Sequence, residues 1–318
     1  MRRAFQISEV EYQKNSVVTV GSFDGVHLAH RQVIGEVVQR ARARSGRSVV
    51  LTFEPHPKEV LSGTPVHLLT TLDERQQFCE ELGVDLFVVI EFTYEFSRQS
   101  SRDFLLRYIV QGTGVSEVIE GYDHHFGRDR EGSIEELLKL GKEFEFSVVA
   151  MKPVYVDEEV VSSSKIRQHL LEGRVDRAHR LLGRPYAVSG VVVRGDGRGK
   201  SLGYPTANLQ LASTRKVIPQ NGIYFARVNL GHDNLFGMVS VGVRPTFGEN
   251  GQRTVDVNIL DFQGDLYGKD IQIQFLKRLR DEIKFDSVEQ LIEQMHRDKA
   301  DSLKLQQVHS SESQYSRT

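Results

Sequence analysis

Short apolar runs alternate with polar, helix-like stretches through the first half of the chain. Candidate strands are Val17–Val20, Val49–Phe53, Leu86–Ile90, Glu117–Glu120 and Ser147–Ala150. Helix signatures lie between them. Thr71 and Glu74 have capping-box spacing with Gly83 as a stop, and Ser133 with Glu136 repeats the pattern, closing at Gly141. Strands and helices alternating at this spacing predict an α/β layer with a parallel, doubly wound, Rossmann-like sheet. Ligands of such sheets bind beyond the C-terminal ends of the strands, which directs attention to the residues after Val20.

The texture changes near Arg184–Tyr186. Two short helical patterns end at Gly173 and Gly183, and short strands then follow closely: Ala187–Arg194, Ile223–Leu230, Phe236–Val241, Thr254–Phe262 and Ile271–Phe275. Glycine-bearing turns separate them, which predicts a small antiparallel β-barrel or sandwich. A last helix is expected from Ser287 and Gln290 in capping-box register and the apolar Leu291, Ile292 and Met295. The expected division is therefore residues 1–184, residues 185–305 and a structureless polar tail at 306–318, which lacks apolar periodicity.

The bulk numbers fit this division. A chain of 318 residues, 39% hydrophobic and 26% charged, can bury two cores. A net charge of −2 provides no global field to recruit nucleic acid or an anionic membrane, so anion binding has to come from local sites. The one cysteine, Cys79, excludes an intramolecular disulfide and fits a reducing compartment. No apolar stretch approaches the length of a membrane span, and the arginines near the N-terminus precede no apolar run. A cytoplasmic protein whose partners are small molecules is expected, with at most weak self-association.

The segment VTVGSFDGVHLAHRQVI carries the first candidate chemistry. A strand ends at Gly21, glycines permit a tight turn, and a helix is expected to start near His27 or Leu28. Backbone N–H groups at a helix N-terminus favour phosphate oxygens. His27 and His30 are three apart and share one helical face, where two imidazoles can donate to the phosphates of ATP. An isolated H-x-x-H reads more simply as surface histidines or two metal ligands. The preceding strand, the two glycines and Asp24 reverse that weighting.

A second constellation is GDGRGKSLGYPTANL, from Gly195 to Leu209. Its glycines, with Arg198 and Lys200, can wrap phosphates through backbone amides and local charge. Thr206 and Asn208 sit two apart, so on an extended chain their oxygens face one side, where they can coordinate Mg²⁺. A mobile turn leading into a strand is the ordinary reading of such a loop. It is not a Walker A loop, since G-x-x-x-x-G-K-[ST] has no match in it.

GSFDGVHLAH resembles the G-N-F-D-G-V-H-x-G-H signature of the bacterial bifunctional riboflavin kinase/FMN adenylyltransferases, or FAD synthetases. FEPHP at Phe53–Pro57, GYDHHFGRDREG at Gly121–Gly132 and VSSSKIR at Val161–Arg167 resemble further segments of that family in the expected order. GRGKSLGYPTANL, NGIYFARV, VGVRPTFG and DLYGKDI resemble its kinase half, so the likeness covers nearly the whole chain. The resemblance implies that the N-terminal half adenylylates FMN with ATP, giving FAD and pyrophosphate. His27 and His30 would be catalytic. Gly21, Phe23, Asp24, Gly25, Ser163, Ser164 and Arg167 would bind ATP, and Phe53, Pro55, His56, Pro57 and Asp123 would form the flavin end. It implies that the C-terminal half phosphorylates riboflavin. There Gly195, Arg198, Lys200 and Gly203 would hold ATP, Thr206 and Asn208 the Mg²⁺, Asp256 would be the base, and Arg280 would contact the flavin phosphate.

This sequence departs from the family pattern at several places. Ser22 stands for Asn, Ala29 for Gly, and His124 and His125 for a Phe-Arg pair. Asp256 and Asn258 replace the Glu and His of T-V-E-x-H. Aspartate is one methylene shorter, roughly 1.5 Å of lost reach. Two alternatives therefore stand beside the bifunctional enzyme: an adenylyltransferase with a weak or inactive kinase half, and a non-catalytic flavin-binding regulator.

Overall fold

The computed structural model describes residues 1–122, 132–194, 203–243 and 253–315. The chain divides into two compact units, Met1–Ser163 and Ser164–Thr318.

The first unit is built on a six-stranded sheet of β1 (Arg2–Ala4), β2 (Ser16–Val20), β3 (Ser48–Glu54), β4 (Leu86–Glu91), β5 (Val115–Glu120) and β6 (Ser147–Ala150). Its order is β1-β4-β3-β2-β5-β6, and every pairing is parallel. The five expected strands are all present. The additional β1 is three residues of mostly polar sequence at the sheet edge, too short to show a period. The central strands are buried on both faces, as β-branched runs in a parallel sheet require. On one face Val18, Leu51, Val88 and Ile90 pack with Phe104, Leu137 and Leu140. On the other, α1 (Leu28–Ala43) lays Ile34 and Val38 against Val50 and Phe87.

Helices α2 (Pro57–Ser62) and α3 (Leu72–Glu81) follow β3. The capping box of α3 is complete: Glu74 N–H donates to the Thr71 hydroxyl, and Thr71 N–H to the Glu74 carboxylate. Short helical segments run from Tyr94 to Thr113, with a π-helical stretch at Leu105–Val110. In α4 (Ile134–Glu143), Ser133 caps the start as expected, but Gly141 does not end the helix. It lies inside, where a β-carbon would sit 2.8 Å from the Phe146 carbonyl oxygen, so the glycine permits close packing of helix on chain. A two-stranded hairpin, β7 (Tyr155–Val156) and β8 (Glu159–Val160), leads to α5 (Ser163–Leu171).

The compact units meet at Ser163, upstream of α6 (Val175–Leu182). This helix buries Val175, Ala178, Leu181 and Leu182 and packs against two strands of the second unit. Those strands belong to a closed antiparallel barrel of β9 (Tyr186–Val193), β10 (Ala207–Leu211), β11 (Gly222–Leu230), β12 (Asp233–Val243), β13 (Arg253–Ile259) and β14 (Asp270–Arg280). The order around it is β10-β13-β12-β11-β14-β9. Alternate residues fill its interior: Val188 and Val192, Val255 and Val257, Ile271, Ile273 and Phe275.

The last helix, α7 (Val288–Tyr315), covers part of the barrel's outer face. Met295, Leu303 and Leu305 pack against Phe225, Met238, Leu260 and Leu276. The expected structureless tail is corrected here: α7 continues to Tyr315. The His309 ring stacks 5.8 Å from Phe225, a barrel contact that the polar composition of the tail conceals. Arg280 and Asp298 fasten the helix to β14 with three contacts of 2.7–3.0 Å, and Gln294 also donates to Asp298. The pair is nearly buried, and removing one partner of a buried pair costs about 3 kcal/mol or more. Asp298→Ala is expected to lower stability by about that amount, measured by urea unfolding followed by circular dichroism.

Candidate active site

Strand order reverses between β2 and β5: the chain moves outward to β3 on one side and to β6 on the other. At such a switch point the loops leave in opposite directions and open a crevice at the strand C-terminal ends. Gly21 follows β2 and Gly121 follows β5, so both motif segments start at this crevice.

The turn after β2 is strained. Phe23, Gly25 and Val26 have φ of 46°, 91° and 37°. For β-branched Val26 this conformation is an outlier, and surrounding structure has to hold it. Much of that hold comes from Asp24, which is completely buried. Its carboxylate accepts from the Leu69 and Thr70 backbone N–H groups at 2.9–3.1 Å and from the Thr70 hydroxyl at 3.1 Å. The Thr70 hydroxyl in turn accepts from Gly25 N–H at 2.8 Å. Phe23 lies in the core with Val26 and Ile34. A β-carbon on Gly21 would stand 3.1 Å from the Phe23 ring, so glycine lets that ring fold back. Phe23, Asp24 and Gly25, expected to bind ATP, thus build the turn: Phe23 and Asp24 are turned inward, and the Gly25 N–H is taken by Thr70.

The turn delivers His27 to the N-cap of α1, where its Nδ1 accepts from His30 N–H at 3.4 Å. In the neutral ring this leaves Nε2 as the donor edge. The His27 and His30 rings stack with centroids 3.5 Å apart, and Phe23 meets His30 edge-on at 5.2 Å. Two imidazoles therefore stand together at the N-terminus of a sixteen-residue helix, a place that favours anions. The Ser163 hydroxyl donates to the Asp24 carbonyl at 2.8 Å, joining residues 139 apart in sequence. Ser164 and Arg167 follow on α5, in the second unit.

Phe53, at the end of β3, contributes to an aromatic cluster. Its ring lies 5.5 Å from Phe92, 6.0 Å from Phe96 and 6.4 Å from Phe104, and Tyr108 stacks on Phe104 at 5.4 Å. Phe92 and Phe96, and Phe104 and Tyr108, are each four apart, a helical spacing that could have flagged them. His56 caps α2 through Nδ1, which accepts from Lys58 N–H at 3.2 Å, and Pro57 takes the first helical position. The Glu54–Pro55 peptide is cis. Asp123, His124 and His125 lie outside the described residues.

In the second unit, Asn208 on β10 pairs directly with Asp256 on β13, and Asp256 pairs with Ser240 on β12. Directly opposed residues of antiparallel strands project to the same face, with β-carbons about 5 Å apart. Val255 and Val257 fill the interior, so the Asn208–Asp256–Ser240 row lies on the outer face. Ser240 was not legible, since only the cross-strand register places it. Exposed Thr206 directly precedes β10, and Asn258 donates to the Pro205 carbonyl at 2.8 Å, steadying that approach. Tyr204 meets His296 of α7 at 2.7 Å. Burial first, and the Asp298 charge second, push the Tyr204 phenol above its ordinary value, so it stays protonated. Arg280, expected at a flavin phosphate, is bound to Asp298 and to the Asp281 carbonyl. Gly203 has φ 80° and open space around it, while Gly195, Arg198 and Lys200 lie outside the described residues.

Comparison with known proteins adds to this geometry. The FAD synthetase family matches residues 9–165, and the riboflavin kinase family matches residues 182–306. A bifunctional riboflavin kinase/FMN adenylyltransferase of Listeria monocytogenes is 36% identical over 291 residues, 91% of each chain. Its namesake in Bacillus subtilis is 34% identical, covering 92% of this chain and 93% of the relative, and that of Escherichia coli K12 is 35% identical over 90% and 91%. A crystal structure from Streptococcus pneumoniae, described as a macrolide-efflux protein, is similar along 94% of this chain and 97% of its own, with TM-score 0.85 and 32% identity. Among the described residues here, no helix is long and apolar enough to cross a membrane.

The Asp24 anchor is open to direct test. Asp24→Asn turns an amide N–H₂ toward donors, and hydrogen bonds to a charged group contribute about 1.5–3 kcal/mol each. A loss of about 2 kcal/mol is expected in urea unfolding; unchanged stability would show that the loop holds without the carboxylate.

Proposed function

The chain belongs to the bifunctional riboflavin kinase/FMN adenylyltransferase family, and on that premise we propose that it makes FAD in two ATP-dependent steps. The observation that carries the reading is the stacked His27–His30 pair at the start of α1, on a turn tied to Ser163 at the sheet's switch point. In the adenylyl-transfer step an FMN phosphate oxygen attacks the α-phosphorus of ATP. The bond to the β-phosphate bridging oxygen breaks, and pyrophosphate leaves. Little of this needs covalent participation by protein, so positioning and charge stabilisation carry it. The imidazoles and the N-terminus of α1 supply donors where charge accumulates on the phosphates. The aromatic cluster around Phe53 supplies an apolar wall beside the flavin end.

In the kinase step the ribityl 5′-hydroxyl attacks the γ-phosphorus, its proton passes to the Asp256 carboxylate, and ADP leaves. Thr206 and Asn208 offer hard oxygen donors of the kind Mg²⁺ takes together with nucleotide phosphates. A Mg²⁺ ion held there would neutralise phosphate charge. Asn208 directly opposite Asp256 supports grouping the ligand and the base in one site. The same register leaves the shorter Asp256 to do what a glutamate does in the family pattern.

Purified protein incubated with Mg²⁺-ATP and either riboflavin or FMN, with products separated by chromatography, tests both steps. FAD from FMN without FMN from riboflavin would leave an adenylyltransferase alone, and no product from either would remove the enzymatic reading. His30→Ala is expected to cut FAD formation about 10²–10³-fold, the usual loss for one transition-state donor, while riboflavin phosphorylation persists. Asp256→Glu is expected to raise the rate of FMN formation about tenfold or more by restoring reach; an unchanged or lower rate would mean that the site is built around aspartate.

A further inference from the structure

The guanidinium of Arg75 lies in the first unit and is 1% exposed. It comes from the second turn of α3, outside every motif quoted above. One terminal nitrogen donates to the Ser22 carbonyl at 2.9 Å, the Thr52 hydroxyl at 3.1 Å and the Phe53 carbonyl at 3.3 Å. The other donates to the Glu54 carboxylate at 2.6 Å. Thr52 closes the set, its hydroxyl donating to the same Ser22 carbonyl at 3.2 Å.

These acceptors flank the ends of two neighbouring strands. The parallel pairing of β2 with β3 runs to Val20–Leu51, and Gly21 N–H still donates to the Leu51 carbonyl at 3.0 Å. Past that bond the chains diverge, one into the turn that carries His27 and the other into Phe53–Pro57. The Arg75 fork and the Thr52 hydroxyl span the gap where the ladder stops. A planar guanidinium with fixed donor directions suits this task, because it sets distances that a single ammonium cannot.

We propose that Arg75 is a positioning residue for adenylyl transfer, setting the spacing between the histidine-bearing turn and the Phe53–Pro57 segment. The inference rests on the adenylyl-transfer reading above, which assigns phosphates to the turn and flavin to the other segment. A change of about 1 Å between them can cost about 10²-fold in rate while each substrate still binds. Charge alone is not the function: Arg75→Lys keeps a cation beside Glu54 but loses the fork.

Three measurements on the full chain test it: steady-state FAD formation from FMN, thermal melting, and amide hydrogen exchange. Arg75→Lys is expected to lower kcat about 100-fold, with KM for ATP and FMN changed less than about threefold and melting shifted by only a few degrees. Thr52→Val, nearly isosteric, removes the central hydroxyl and is expected to lower kcat about tenfold. In both variants, faster exchange should be confined to residues 21–26 and 53–58. Wild-type kcat in both variants, or a rate loss accompanied by faster exchange throughout the unit, would overturn the proposal. If the wild-type chain makes no FAD, the proposed reaction fails; the exchange pattern still decides whether Arg75 couples the two segments.

Discussion

A buried carboxylate holds the first unit to its chemistry. Asp24 sits at the C-terminal end of a central strand, where the backbone bends through three left-handed residues before entering α1. A turn of that shape does not persist through local preference, least of all at a valine. It persists because Asp24 accepts backbone and hydroxyl donors from Leu69 and Thr70, and because Phe23 is driven into the core. Release of that anchor would free the N-cap position of His27, and with it the stacking on His30. The residues of the motif thus divide their labour: Phe23, Asp24 and Gly25 form the scaffold, and the stacked imidazoles stand on it at the start of α1.

The second unit solves a comparable problem with different means. Its candidate groups, Asn208, Asp256 and Ser240, are aligned by antiparallel register on a closed barrel, so relative position comes from the ladder rather than from a strained turn. The C-terminal helix adds two ties, Arg280–Asp298 and Tyr204–His296. The second of these reaches the residues just before Thr206. A helix that looks like a lid for apolar surface therefore also borders the segment expected to hold a metal and a nucleotide.

Both units tie their candidate sites to groups far away in sequence. Ser163 to Asp24 spans 139 residues, and Tyr204 to His296 spans 92. Long-range ties of this kind keep short polar side chains in register at modest individual energies, since each hydrogen bond contributes only about 1 kcal/mol net. Their effect lies in geometry more than in stability.

Local patterning alone determined most of the long elements. Apolar alternation located the five longer strands of the sheet, the Thr71–Glu74 and Ser133–Glu136 spacings located two helix starts, and the spacing of His27 and His30 marked one helical face. These features arise from neighbours within a few residues, which is why they can be read without a structure. What tertiary structure alone decided were matters of direction and partnership. It turned Phe23 and Asp24 inward and bound Arg280 to Asp298. It kept Gly141 within its helix against the Phe146 carbonyl, and it extended α7 through a polar segment by stacking His309 on Phe225. The physical reason is common to all of them. A side chain's hydrogen-bond partner or packing surface is set by chain segments brought close through folding, and no periodicity in the local sequence encodes which segment that is.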